Sequence, residues 1–160
     1  IEQVQKIGVC EIANDNSESQ IILSGEKVAI DEISKILKLN KKKSIILPVS
    51  APFHSSLMKS AAEKMKDKIL NTSFTDPSIS IVSNVTAKAE NDQKNIKKLL
   101  IEQIYSKVRW RESILYMIDN DVKEFIEIGP GKVLSGLVKR ISGNVNVKSI
   151  NTIEDIKSLK

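Results

Sequence analysis

The sequence predicts an α/β fold, and three observations predict it. Short β-branched runs alternate with amphipathic helical stretches from residue 44 onward, the pattern of a mostly parallel sheet covered on both faces. Before residue 44 the order is β-β-α leading into a further strand. That is the latter part of a split βαβ unit of ferredoxin-like type, with its opening strand and helix expected outside the chain. The 160 residues are 41% hydrophobic and 28% charged, a globular composition rather than a disordered one.

In chain order, Lys6-Ile7-Gly8-Val9-Cys10-Glu11-Ile12-Ala13 alternates as a strand does. Residues 14–19 (Asn14-Asp15-Asn16-Ser17-Glu18-Ser19) form a polar cluster that reads as a turn. A short β run over residues 20–24 ends at Gly25, and a helix is expected from Glu26 to Leu39 with Ala29, Ile33, Ile36 and Leu37 on one face. Lys41-Lys42-Lys43 is a solvated connector, and Ser44-Ile45-Ile46-Leu47 reads as a third strand stopped by Pro48.

Past Pro48 the character changes. Val49-Ser50-Ala51-Pro52-Phe53-His54 is a loop held by two prolines. A helix follows it, capped by Ser55 or Ser56, with Leu57, Ala61, Met65 and Ile69 expected on its buried side. A strand is expected at residues 79–82, helices at 95–105 and 109–119, and a buried strand at 125–128. Gly129-Pro130-Gly131 turns that strand into a helix whose inner face carries Val133, Leu134, Leu137, Val138 and Ile141. A last strand spans 145–150, and Thr152 caps a short tail helix.

The net charge of +5 invites a nucleic-acid reading, but the details oppose it. Of 25 basic residues only Arg109, Arg111 and Arg140 are arginines, and base-edge and bidentate phosphate recognition rely on arginine geometry. Many lysines alternate with acids, as on solvated helix faces. A basic RNA-binding ferredoxin-like domain would also carry an aromatic β motif for base stacking, which is missing. No apolar run approaches the roughly 18 residues of a membrane span. The chain opens Ile1-Glu2-Gln3-Val4 without Met or a secretory pattern, so a processed, excised or truncated product is expected. The lone Cys10 has no internal disulfide partner, which favours a reducing compartment, and a strand position makes it a small buried hydrophobe. The expected localisation is cytoplasmic, or an organelle of bacterial origin.

His54 is the single histidine. It reads equally as a hydrogen-bonded surface residue or as a proton-transfer group delivered by a loop just before a helix N-terminus. Metal binding is not expected, because one His and one distant Cys fall short of a ligand set. Gly129-Pro130-Gly131-Lys132 lacks P-loop spacing and the third glycine of a dinucleotide fingerprint, so it reads as a structural elbow. Trp110, opening an amphipathic helix, reads as a core anchor. No Gly-x-Ser-x-Gly nucleophile elbow occurs: Ser24, Ser135 and Ser142 each precede a glycine but lack the leading one.

Five segments in register resemble one family, the malonyl-CoA:acyl-carrier-protein transacylases of type II fatty acid synthesis. They are residues 11–16 (Glu11-Ile12-Ala13-Asn14-Asp15-Asn16), 48–54 (Pro48 to His54), 83–87 (Ser83-Asn84-Val85-Thr86-Ala87), 108–113 (Val108-Arg109-Trp110-Arg111-Glu112-Ser113) and 127–137 (Glu127 to Leu137). The resemblance covers nearly the whole chain and implies the C-terminal half of an enzyme about twice as long. It implies an α/β-hydrolase-like large domain with an inserted ferredoxin-like small one. Residues 1–48 would be part of the small subdomain and 49–160 the C-terminal part of the large domain.

The resemblance further implies ping-pong transfer of malonyl from malonyl-CoA, through an acyl-serine, to the phosphopantetheine thiol of acyl carrier protein. No cofactor is implied beyond these substrates. His54 would be the general base, oriented by the main-chain carbonyl of Gln103. Phe53 resembles the malonyl-selecting type, and Asn16 falls in the Asn-x-Asn turn that lines the cleft. The serine elbow, the malonyl-pairing arginine and the glutamine loop of the oxyanion hole would come from the missing N-terminal half, a required partner, so the isolated chain is expected to be inactive. Ser17-Glu18-Ser19 replaces the family's usual Pro-Gly. A second reading is a catalytically silent module that docks acyl carrier protein through Lys132, Lys139 and Arg140.

Overall fold

A computed structural model describes residues 1–157. The first strand, β1 (Cys10–Ser17), pairs antiparallel with β2 (Gln20–Gly25). The polar cluster that reads as a turn is therefore mostly strand: pairing continues through Asp15↔Ile21 to Ser17↔Gln20, leaving only Glu18 and Ser19 to turn the chain. Polar residues tolerate this strand because its end is tied to another segment. Asp15 N–H donates to the Val108 carbonyl at 2.9 Å, and Val108 N–H donates to the Ala13 carbonyl at 2.8 Å. The expected start at Lys6 moves to Cys10, because residues 2–7 form turns with Val4 N–H bonded to the Ile1 carbonyl.

Helix α1 (Lys27–Leu39) lies where the apolar spacing puts it. Ala29 and Ile33 are buried with Val4 and Cys10, and Leu23, Ile30, Ile36 and Leu37 pack around them. Fully burying a side chain such as Ile33 is worth about 1.5–3 kcal/mol. Gly25 is required by close approach: a Cβ there would stand 2.0 Å from the Val9 carbonyl oxygen.

Residues 44–47 do not form the expected strand. Ile45, Ile46 and Leu47 are exposed, with no ladder partner among the described residues. A β-branched run becomes a strand only when a neighbour takes its backbone groups.

After the loop, a 3-10 turn over Ser56–Met58 leads into α2 (Lys59–Asn71). Its buried residue is Ala62, whereas Leu57 and Met65, expected inside, are exposed. Ala61 and Ile69 are half-buried, so only part of the expected ladder is covered. Two-residue strands β3 (Ile81–Val82) and β4 (Ala89–Glu90) pair antiparallel and precede α3 (Gln93–Glu102), whose first turn is capped by the Asp92 carboxylate accepting from Asn95 N–H at 2.7 Å. The helix expected at 95–105 thus starts earlier and ends earlier.

Helix α4 (Trp110–Asp119) buries Ser113 and Ile114. Strand β5 (Glu124–Ile128), helix α5 (Val133–Ile141) and parallel strand β6 (Asn146–Ile150) make a βαβ crossover, followed by α6 (Ile153–Lys157). Thr152 caps α6 as expected, its Oγ1 accepting from Asp155 N–H at 3.2 Å. The mixed α/β content agrees with the expectation, but the mostly parallel, doubly covered sheet does not. Among the described residues there are three two-stranded sheets, and only β5–β6 is parallel. Ile126 and Ile128 of β5 are exposed, although parallel strands are ordinarily covered on both faces. Among the described residues no helix is long and apolar enough to cross a membrane.

Candidate active site

Pro52 and Ser55 shape the loop that carries His54. Ser55 is fully buried, and its Oγ donates to the Pro52 carbonyl at 2.7 Å. That bond explains why Ser55, though it stands at the N-cap, gives the turn no side-chain cap. His54 lies between with φ +58°, left-handed backbone that a non-glycine residue adopts only when its surroundings hold it there.

Three contacts do so. The His54 ring meets the Gln103 main-chain carbonyl, Nδ1 to O 2.9 Å. A carbonyl only accepts, so Nδ1 carries the hydrogen and Nε2 of the neutral ring keeps a free lone pair. Gln103 follows α3 directly, and its own N–H donates to the Leu99 carbonyl at 2.9 Å, which fixes the carbonyl's direction. The Ser55–Pro52 bond is the second. The third has no counterpart among the sequence expectations: the Glu11 carboxylate on β1 accepts from Ser56 N–H and from Ser56 Oγ, both at 2.7 Å. Glu11 lies in a segment that carries the resemblance, but a contact across 45 residues leaves no periodic or local signal.

Phe53, the residue before His54 in the chain, is exposed. Asn16 is buried five residues past Glu11 on β1, about 16 Å along the strand from the Ser56 contact, so it is not gathered at the imidazole. Near it, the Asp15 carboxylate accepts from Arg111 Nε at 3.1 Å and Nη2 at 3.0 Å. Arg109 pairs with Glu112 and also donates to the Val85 and Thr86 carbonyls at 3.3 and 3.2 Å. Arg109 holds the Glu112 carboxyl below the ordinary carboxylate range, chiefly through this hydrogen bonding.

The Gly129-Pro130-Gly131 elbow is occupied from within. Glu127 accepts from Leu134 N–H at 3.1 Å and Ser135 N–H at 2.7 Å, placing a carboxylate where an anion would meet the start of α5. Gly131 N–H donates to Asn151 Oδ1 at 2.7 Å. Trp110 borders a cavity of about 90 Å3 with Phe125, Leu134, Val138 and Val147, consistent with its reading as an anchor. Cys10 is fully buried, and burial pushes its thiol pKa up, as in an unreactive cysteine. Among the described residues no group of three or more His, Cys, Asp or Glu is placed to hold a metal ion.

No protein-family model matches the chain. Individual proteins do. A relative named malonyl CoA-acyl carrier protein transacylase, from Staphylococcus aureus (strain COL), is 45% identical over 150 residues, 93% of this chain and 49% of the relative. The crystal structure of acyl-carrier-protein-S-malonyltransferase from Bartonella henselae superposes with a TM-score of 0.94 at 40% identity, covering 99% of this chain and 51% of that one. A structure of a type II PKS acyl-carrier protein in complex with its malonyl-transacylase matches with a TM-score of 0.93 at 32% identity, over 98% of this chain and 51% of the other. The chain spans about half the length of the relatives it matches. Over nearly all of its own length, in sequence and in fold, it is a homologue of the malonyl CoA-acyl carrier protein transacylases.

Proposed function

We propose that this chain supplies the proton-transfer half of a malonyl-CoA:acyl-carrier-protein transacylase of type II fatty acid synthesis, working in the cytoplasm or an organelle of bacterial origin. The observation that carries the reading is the His54–Gln103 pair, 2.9 Å apart, in a homologue of these enzymes. Nε2 of His54 removes the proton from a serine hydroxyl supplied by the other half as that oxygen attacks the malonyl thioester carbon. The imidazolium returns the proton to the departing coenzyme A thiolate. In the second half-reaction Nε2 deprotonates the phosphopantetheine thiol of acyl carrier protein, the sulfur attacks the acyl-serine, and the serine oxygen leaves with the proton. Phe53 borders the acyl group and favours malonyl, and Asn16 lines the cleft at its far end.

In this reading residues 1–48 are part of a ferredoxin-like subdomain and 49–160 the C-terminal part of an α/β-hydrolase-like domain. The partner half covers the bare apolar surface at Ile45, Ile46, Ile126 and Ile128. A second reading, a silent module docking acyl carrier protein, is supported by the exposed basic end of α5, where Lys139 and Arg140 follow Lys132. It is also supported by a structural neighbour, a malonyl-transacylase in complex with its acyl-carrier protein.

Co-expression with a polypeptide bearing a Gly-His-Ser-x-Gly elbow separates the two. The first reading expects malonyl transfer from the pair and none from the chain alone. Binding of acyl carrier protein without transfer from any pair would favour the second.

A further inference from the structure

The backbone at His54 is strained, and most of what holds it is local or comes from the segment after α3. Glu11 is the exception, because it reaches the loop from the β1–β2 hairpin. Its two carboxylate oxygens take the two donors of Ser56, main-chain and hydroxyl, each at 2.7 Å. Charge-assisted bonds of this length are roughly twice as strong as neutral ones. They also sit at the start of the turn leading into α2, where the unpaired amides favour negative charge. Ser56 is two residues from His54 in φ +58° and one from the buried Ser55. With the Gln103 carbonyl gripping the ring and Glu11 gripping the backbone just beyond it, the loop is fixed on both sides of the imidazole.

From this geometry we infer that Glu11 is a positioning residue for His54. Its carboxylate clamps Ser56, and this keeps the imidazole on the Gln103 carbonyl with Nε2 free. The inference rests on the reading of His54 as general base, but its test is arranged so that the two fail separately. Glu11 touches no reacting atom and acts only through the loop.

His54 is the single histidine, so a long-range proton–nitrogen correlation spectrum of the full chain reports one imidazole. The parent is expected to show the Nδ1-protonated tautomer. Glu11→Ala should turn this into a mixture of tautomers, while Glu11→Gln, which keeps an oxygen for the Ser56 amide, should restore most of the parent spectrum. Ser56→Ala, which loses only the hydroxyl arm, should lie between. In the assembled transacylase Glu11→Ala should lower kcat by about tenfold to a hundredfold, with KM for malonyl-CoA little changed.

An unaltered imidazole spectrum in folded Glu11→Ala would overturn the inference, whatever the activity. Should Glu11→Ala fail to fold, Ser56→Ala decides in its place, and an unaltered spectrum there overturns the inference equally. The spectrum needs no turnover, so a shifted tautomer in the chain, with no acyl transfer by the assembled pair, would uphold the clamp and retire only the enzymatic reading.

Discussion

The His54 imidazole and the Gln103 main-chain carbonyl meet at 2.9 Å although 49 residues separate them in the chain. The acceptor is backbone, so the side chain at position 103 is dispensable to the contact. Gln103→Ala is expected to keep the transfer rate within severalfold of the parent. Gln103→Pro removes the N–H that bonds to the Leu99 carbonyl and is expected to abolish most of the rate. Steady-state kinetics of the two variants check this, and a severe loss in Gln103→Ala would show that the side chain acts.

The Asp15–Arg111 fork ties β1 to α4, with Asp15 nearly buried and Arg111 partly exposed. Arg111→Met leaves a carboxylate with little water around it and without its partner, the costly way to break a pair. The unfolding midpoint in urea is expected to fall more for Arg111→Met than for the double variant Asp15→Asn, Arg111→Met. A loss in the double variant equal to the sum of the losses in Arg111→Met and Asp15→Asn alone would mean the pair is not coupled.

Ile114 is almost completely buried on α4. Ile114→Ala is expected to destabilise the chain by about 2–5 kcal/mol, through lost burial and the cavity left behind. Equilibrium denaturation measures it, and a cost below about 1 kcal/mol would mean the site collapses freely.

Glu112 is held below the ordinary carboxylate range mainly by its hydrogen bonds to Arg109. A carboxyl with a depressed folded pKa stabilises fully above its unfolded value and loses that contribution as pH falls through the folded one. The stability gap between the parent and Glu112→Gln should therefore be flat from neutrality to about pH 5 and shrink in more acid solution. A gap that persists undiminished to about pH 3 would place the effect outside this titration.

How much of this is legible in the sequence differs by element. Helix α1 is, because Ala29, Ile33, Ile36 and Leu37 share one face that the hairpin covers. The β5–α5–β6 crossover is, because Gly129-Pro130-Gly131 marks its elbow. Ile45-Ile46-Leu47 misleads because β propensity describes a fit to a neighbour, and no neighbour stands beside it among the described residues. Asn14 to Ser17 mislead because their composition says turn, while the Val108 backbone makes them strand. His54 stands out by its loop, and Gln103 by resemblance alone. Glu11 carries no sequence signal of its role, since its bond to Ser56 exists only once the hairpin and the loop have come together.

The most direct test of His54 as general base is the rate of serine acylation by malonyl-CoA in the assembled transacylase carrying His54→Ala. Loss of the general base is expected to slow acylation by about 10²- to 10⁴-fold, with malonyl-CoA binding retained. Acylation within severalfold of the parent would contradict the assignment of His54 as the group that takes the serine proton.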